Sequence, residues 1–133
     1  MNQIKRCAAK GGLVGVTGVS LFLGPKGADP THVVEHVDYI CQLVGPSHVG
    51  LGLDAVLLRN SESVLDLAAM GDIALKFWPA RQYPTGPIRF VPPEGLPAIV
   101  EGLLARGYGT EDVRAILGGN LMRLAGAVWK SVA

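Results

Sequence analysis

The chain has 133 residues, 49% hydrophobic and 17% charged, an apolar balance that supports a packed core and excludes a disordered chain. With a formal net charge of +1, and with Arg59, Arg81 and Arg89 scattered and not interleaved with aromatics, it lacks the basic patch of a nucleic-acid binder. No run reaches the roughly 18–20 apolar residues of a membrane span, and the two cysteines, Cys7 and Cys41, lie outside any CxxC pair and read as reduced core residues.

Residues Asn2 to Lys10 read as a helix ended by Gly11 and Gly12. Lys5, Arg6 and Lys10 ahead of the apolar run Gly11 to Leu23 imitate a secretory signal. Thr17 and Ser20 interrupt that run, and Lys26 occupies the cleavage region, so a cytoplasmic location is expected. Leu13 to Val19 is short, apolar and β-branched, the continuous pattern of a strand buried on both faces of a parallel sheet.

Gly24 to Pro30 is a loop by its glycines and prolines, and Thr31 is the expected N-cap of the next helix. Val33, Val37, Ile40, Cys41 and Val44 give that helix one apolar stripe, which Gly45 and Pro46 stop. His48 to Asp54, HVGLGLD, reads as a second buried strand whose two glycines imply tight curvature or close approach of a ligand or backbone.

A helix is expected over Ser61 to Met70. Phe77 to Pro93 holds five of the nine prolines and reads as a long irregular loop. Two helices close the chain. One spans about Glu94 to Arg106, with Leu96, Ile99, Val100, Leu103 and Leu104 inward. The other begins after Thr110 with Glu111 and Asp112 in its first turn; Val113, Ile116, Leu117, Leu121, Leu124 and Val128 form its stripe, and Gly118 and Gly119 bend it.

This order is that of an α/β chain, one domain over residues 1–133, with two or three βα units. A closed (β/α)8 barrel uses eight strands, so two or three units leave unpaired parallel edges. Such a chain pairs with another copy, tolerates its edges, or is part of a larger barrel.

At HVGLGLD the residues carry a resemblance. HVGxGxD, the upstream GGLVGVTGV and the downstream PPEGLPAIVEGLLARGYGTEDVRAILGGNLMRLAGAVW are similar to the late barrel strands and terminal signature of the renal dipeptidase family, peptidase family M19, in its bacterial branch. The resemblance runs from about Gln3 to Lys130. It implies the last two or three βα units of a (β/α)8 TIM barrel plus its C-terminal helices.

It also implies zinc-dependent hydrolysis of dipeptides, in some members with D-residues. The family's zinc ligands would lie upstream of this chain, so no zinc is expected on the chain alone, and the chain alone is expected to be inactive. The family's aspartate near the attacking water maps onto Asp54, where it would accept or hand on a proton. Read without the resemblance, Asp54 ends a buried strand, where barrel enzymes place their catalytic residues, or else caps the next segment. Ala55 and Val56 stand where the animal enzymes carry a second aspartate, which leaves substrate preference and substrate-binding residues open.

His32, Glu35 and His36 spell H-x-x-E-H, a spacing that can bind zinc on one helix face, with Glu94 or Glu101 as conceivable third ligands. The plain alternative is two half-exposed helix histidines. His48, at the end of its strand opposite Asp54, belongs to the stability end of a barrel. Gly50-Leu51-Gly52 lacks the third glycine and helix start of a dinucleotide fingerprint, and Gly118-Gly119-Asn120 reads as close helix packing.

Three functional readings therefore stand: a dipeptidase part acting on dipeptides, a non-catalytic module that self-associates through exposed sheet edges, and a small H-x-x-E-H metallopeptidase.

Overall fold

A computed structural model of the chain describes residues 3–25, 27–56, 64–66, 71–78 and 87–129. Helix α1 (Gln3–Ala8) stops at Gly11, whose φ of +75° suits glycine, and Gly12 N–H donates back to the Cys7 carbonyl at 3.0 Å. Strand β1 (Val14–Val16) follows, then a single helical turn, α2 (Ser20–Leu23).

Helix α3 (Pro30–Val44) starts at Asp29, whose carboxylate accepts from Thr31 N–H at 2.8 Å, with Pro30 in the first helical position. The expected cap, Thr31, is thus inside the helix. The longer Asp side chain one residue ahead of the proline takes the orphan N–H. Gly45, at φ +86°, ends α3, and the 3₁₀ turn Pro46–His48 leads into β2 (Val49–Leu51).

Strands β1 and β2 pair in parallel, Val14 with Val49, Gly15 with Gly50 and Val16 with Leu51, with α3 as the crossover. The pairing runs on past the strand ends, Gly52 N–H donating to Val16 O at 2.9 Å and Gly18 N–H to Leu53 O at 3.0 Å.

Because side chains alternate along a strand, Val14, Val16, Val49, Leu51 and Leu53 share one face. That face meets the core of Val33, Val37, Ile99, Leu103 and Ile116. The opposite face carries glycines. A Cβ built on Gly15 or Gly52 meets nothing within 4 Å, and both residues are exposed. The sheet is therefore covered by helices on one side, while on the other Leu13 lies over the buried Gly50 and Gly15 and Gly52 are open among the described residues.

A second, antiparallel pair joins β3 (Val64–Asp66) to β4 (Pro87–Arg89). This corrects two expectations. The helix foreseen over Ser61 to Met70 is a strand at Val64–Asp66, with 61–63 and 67–70 outside the described residues. The long loop foreseen from Phe77 to Pro93 contains β4, with 79–86 outside the described residues. Three residues, Val64, Leu65 and Asp66, are too few to show a helical period, and a partner strand decides them. Helix α4 (Gly71–Phe77) lies between them. At the end of β4 Arg89 N–H donates to Ser20 Oγ at 3.0 Å, and just beyond it Val91 N–H donates to Gly18 O at 2.9 Å, which seats this segment at the exit of β1.

After the turn Pro93–Gly95, helix α5 (Leu96–Ala105) packs along α3, closely enough that a Cβ on Gly102 would come within 2.9 Å of a Val34 methyl. The last helix, foreseen as bent at Gly118 and Gly119, is α6 (Thr110–Arg114), a π turn over Ala115–Gly119 with non-helical torsions at Gly118, and α7 (Asn120–Val128).

The π turn adds a residue and rotates the following face. Leu121 and Val128, foreseen as inward, are 56% and 64% exposed, while Asn120 is buried. Leu104 and Leu117, foreseen in the same way, are also largely exposed. The whole is a mixed α/β chain, and no described helix is long and apolar enough to cross a membrane.

Candidate functional site

Asp54 lies three residues beyond the end of β2, past the last hydrogen-bonded step at Leu53. Its φ is +54°, and it is the one described residue other than glycine in that left-handed region. Asp tolerates this region better than most residues, and a non-glycine held there is worth examining as a functional position. Its side chain is exposed, and no described group pairs with its carboxylate.

Two close contacts set the backbone on either side. A Cβ on Gly18 would lie 2.9 Å from Leu53 O and 3.1 Å from Val91 Cβ, so only glycine lets the exits of β1 and β2 and residue 91 meet here. Asp54 therefore sits at the C-terminal mouth of the parallel pair, beside the open glycine face.

The H-x-x-E-H histidines do not converge on a metal. His32 Nδ1 lies 2.8 Å from Gly27 O, and His36 Nε2 lies 3.5 Å from Leu23 O. His32 ties α3 to the preceding loop and His36 ties it to the end of α2. Among the described residues there is no group of three or more His, Cys, Asp or Glu able to hold a metal ion, and this includes Glu94 and Glu101. Cys7 and Cys41 are free thiols, and burial pushes the Cys41 thiol up.

The opposite end of the strands holds what sequence reasoning missed. His48 Nδ1 lies 2.9 Å from Gly12 O. The buried Asn120 amide donates to Pro46 O and to Val49 O, both at 2.8 Å. Arg123 donates to Ser47 O at 3.0 Å and reaches Gly11 O at 3.5 Å. Three side chains thus clasp the turns that enter β1 and β2. GGN-x-x-R was the available signal: the π turn at its glycines aims Asn120 inward.

A second network joins α3 to the loop before α6. Tyr108 Oη donates to Asp38 Oδ1 at 2.6 Å and Arg106 Nη1 to Oδ2 at 2.8 Å. The hydrogen bond from Tyr108, with the Arg106 charge beside it, holds Asp38 below its ordinary value, while burial and then Asp38 push the Tyr108 hydroxyl far up. On the helical side of β2 an open apolar groove of about 630 Å³ is lined by Leu51, Leu53, Leu96, Val100 and Leu117 among others.

Fold and site thus define a class: an α/β chain built on one parallel βαβ unit, with a lone carboxylate at the strand exit and a carbonyl clasp at the strand entry. Residues 2–60, which include α1, β1, α3, β2 and Asp54, match the family described as Membrane dipeptidase (Peptidase family M19), as a partial member of that family would.

Among curated proteins, the chain is 27% identical over 135 residues to an uncharacterized protein in the pqqA 5′ region of Klebsiella pneumoniae, an alignment that takes in 96% of this chain and 40% of that protein. The chain thus spans well under half the length of this relative. No solved structure matches it.

Proposed function

We propose that this chain is the C-terminal part of a dipeptide-hydrolysing (β/α)8 barrel of the membrane dipeptidase family, with Asp54 as its acid–base residue. The single observation that carries the reading is the placement of Asp54. The carboxylate is held by an unusual backbone conformation at the C-terminal end of a parallel strand, where barrel enzymes put their chemistry, inside the segment that matches the family.

The glycine face beside it supports the same reading. At Gly52, two residues before Asp54, the missing side chain leaves room for substrate near the strand exit. The resemblance of Phe90 to Trp129 to the family's terminal signature extends the proposal over α5 to α7. The described side chains do not fit a zinc site by themselves. Zinc in this reading belongs to polypeptide outside the chain, and Asp54's own part is to take a proton from the attacking water and pass it to the departing amine.

The test is a hybrid in which this chain replaces the matching portion of a zinc dipeptidase of the family. Zinc-dependent dipeptide hydrolysis that is lost in Asp54→Asn, with zinc content unchanged, supports the reading; hydrolysis that survives Asp54→Asn defeats it. The chain alone is expected to show no turnover with added zinc. The H-x-x-E-H reading is disfavoured by the carbonyl contacts of His32 and His36, and a drop in zinc content in His36→Ala would restore it.

A further inference from the structure

The connection from β1 to α3 starts at the same strand end as Asp54. Gly18 N–H donates to Leu53 O at 3.0 Å, so the first residues of the connection lie next to the Asp54 backbone. In barrels the loops at this end build the substrate site. Little of the connection is regular. Helix α2 is a single turn, and Gly24 and Gly27 then swing the chain at φ +101° and +88°. A backbone of this kind keeps one shape only where other groups hold it.

Helix α3 supplies those groups. His32 Nδ1 lies 2.8 Å from Gly27 O, and His36 Nε2 lies 3.5 Å from Leu23 O. A carbonyl oxygen only accepts, so both ring nitrogens carry the proton. The two contacts share one geometry. His32 and His36 stand one helical turn apart on one face of α3. The carbonyls they hold, at positions 27 and 23, are also four residues apart and run in the opposite direction. The H-x-x-E-H spacing is thus matched to the loop in front of it. Ser20 fastens the near end of the connection by accepting from Arg89 N–H at 3.0 Å, and Asp29 fastens the far end by accepting from Thr31 N–H at 2.8 Å.

We infer that His32, with His36 one turn on, is a positioning residue: it sets the backbone of the β1–α3 connection as a wall of the space in which the dipeptide lies, beside the β2 exit that bears Asp54. The inference rests on the dipeptidase reading of Asp54. The two histidines touch neither substrate nor metal and act through the carbonyls of Gly27 and Leu23. The proton transfer at Asp54 does not pass through them, so loss of His32 shows in substrate binding and not in the chemical step.

The hybrid dipeptidase carrying this chain tests it. His32→Ala is expected to raise KM about 10-fold while kcat stays within about 2-fold. The amide nitrogen of Asn stands as many bonds from Cβ as Nδ1 does, and that of Gln as many as Nε2. His32→Asn is therefore expected to restore the native KM, and His32→Gln is not. In the same samples the Gly27 N–H, which donates to Gly24 O at 3.1 Å, is expected to exchange with deuterium faster in His32→Ala and at the native rate in His32→Asn. A native KM in His32→Ala, with Asp54→Asn still inactive, overturns this inference and leaves the dipeptidase reading standing. A joint fall of kcat and melting temperature at unchanged KM overturns it too, since that marks a contact that only holds the fold. A hybrid indifferent to Asp54→Asn defeats the dipeptidase reading and this inference with it, so the two failures are told apart at Asp54.

Discussion

At the scale of single residues, the Asp38–Tyr108–Arg106 network sets how stability should respond to pH. Asp38 is held below its ordinary 3.8, so its contribution is present above that value and lost as pH falls through the lower folded value. Tyr108 is raised above its ordinary 10.0, so its contribution is present below that value and lost as pH rises through the higher folded one. Stability should plateau between the two. Tyr108→Phe removes a charge-assisted hydrogen bond that is partly open to solvent and is expected to cost about 1–2 kcal/mol on the plateau. It should also flatten both flanks. Urea midpoints at acid, neutral and alkaline pH check this, and equal losses at all three would show that the hydroxyl is not coupled to Asp38.

Asp54 makes a different residue-scale prediction. A carboxylate kept at φ +54° without a described partner costs stability that glycine would not. Asp54→Gly is expected to leave the melting temperature unchanged or to raise it by the equivalent of up to ~1 kcal/mol, and Asp54→Val to lower it by a similar ~1–2 kcal/mol. A clear loss on Asp54→Gly would mean that the side chain is structural.

At the scale of elements, the clasp on the strand entries is the feature most exposed to test. Asn120→Ala strips the buried Val49 carbonyl and the half-buried Pro46 carbonyl of their donor and is expected to cost about 2–4 kcal/mol. Arg123→Ala, at an exposed position, should cost under about 1 kcal/mol. Chemical denaturation of the two variants ranks them, and the opposite ranking would move the clasp's weight onto Arg123.

This scale also shows what the sequence could tell. The βαβ unit was legible because Val-rich runs, a Val33–Val37–Ile40–Cys41 stripe and glycine or proline stops all agreed. Asp54, foreseen as the last residue of its strand, lies three residues past the strand's end, and His48 directly precedes the strand. The clasp was not legible, because one added residue at Gly118 turns the wheel on which the stripe was drawn, bringing Asn120 in and Leu121 out. The Asp38–Tyr108 bond spans 70 positions and leaves no local pattern. Val64–Asp66 was misread because its strand character comes from Pro87–Arg89, and the pairing, not the local sequence, decides it.

At the scale of the whole molecule, one sheet face is packed with valine and leucine under α3, α5 and the π turn, and the other is left bare at Gly15 and Gly52, with Leu13 over Gly50. A free-standing domain gains nothing from an uncovered sheet face, since apolar burial is the main force that holds it. The face makes sense as a surface kept clear for something that approaches closely. That view separates folding from function at Gly52. A Cβ there meets nothing within 4 Å, and the residue has no left-handed φ, so Gly52→Val should change the stability of this chain by no more than about 0.5 kcal/mol. In the hybrid that restores the remaining strands, the same two methyls would project into the space beside Asp54 and should abolish dipeptide hydrolysis while zinc content stays normal. Hydrolysis unaffected by Gly52→Val would show that the open face does not line the substrate cavity, and would leave Asp54 without the site proposed for it.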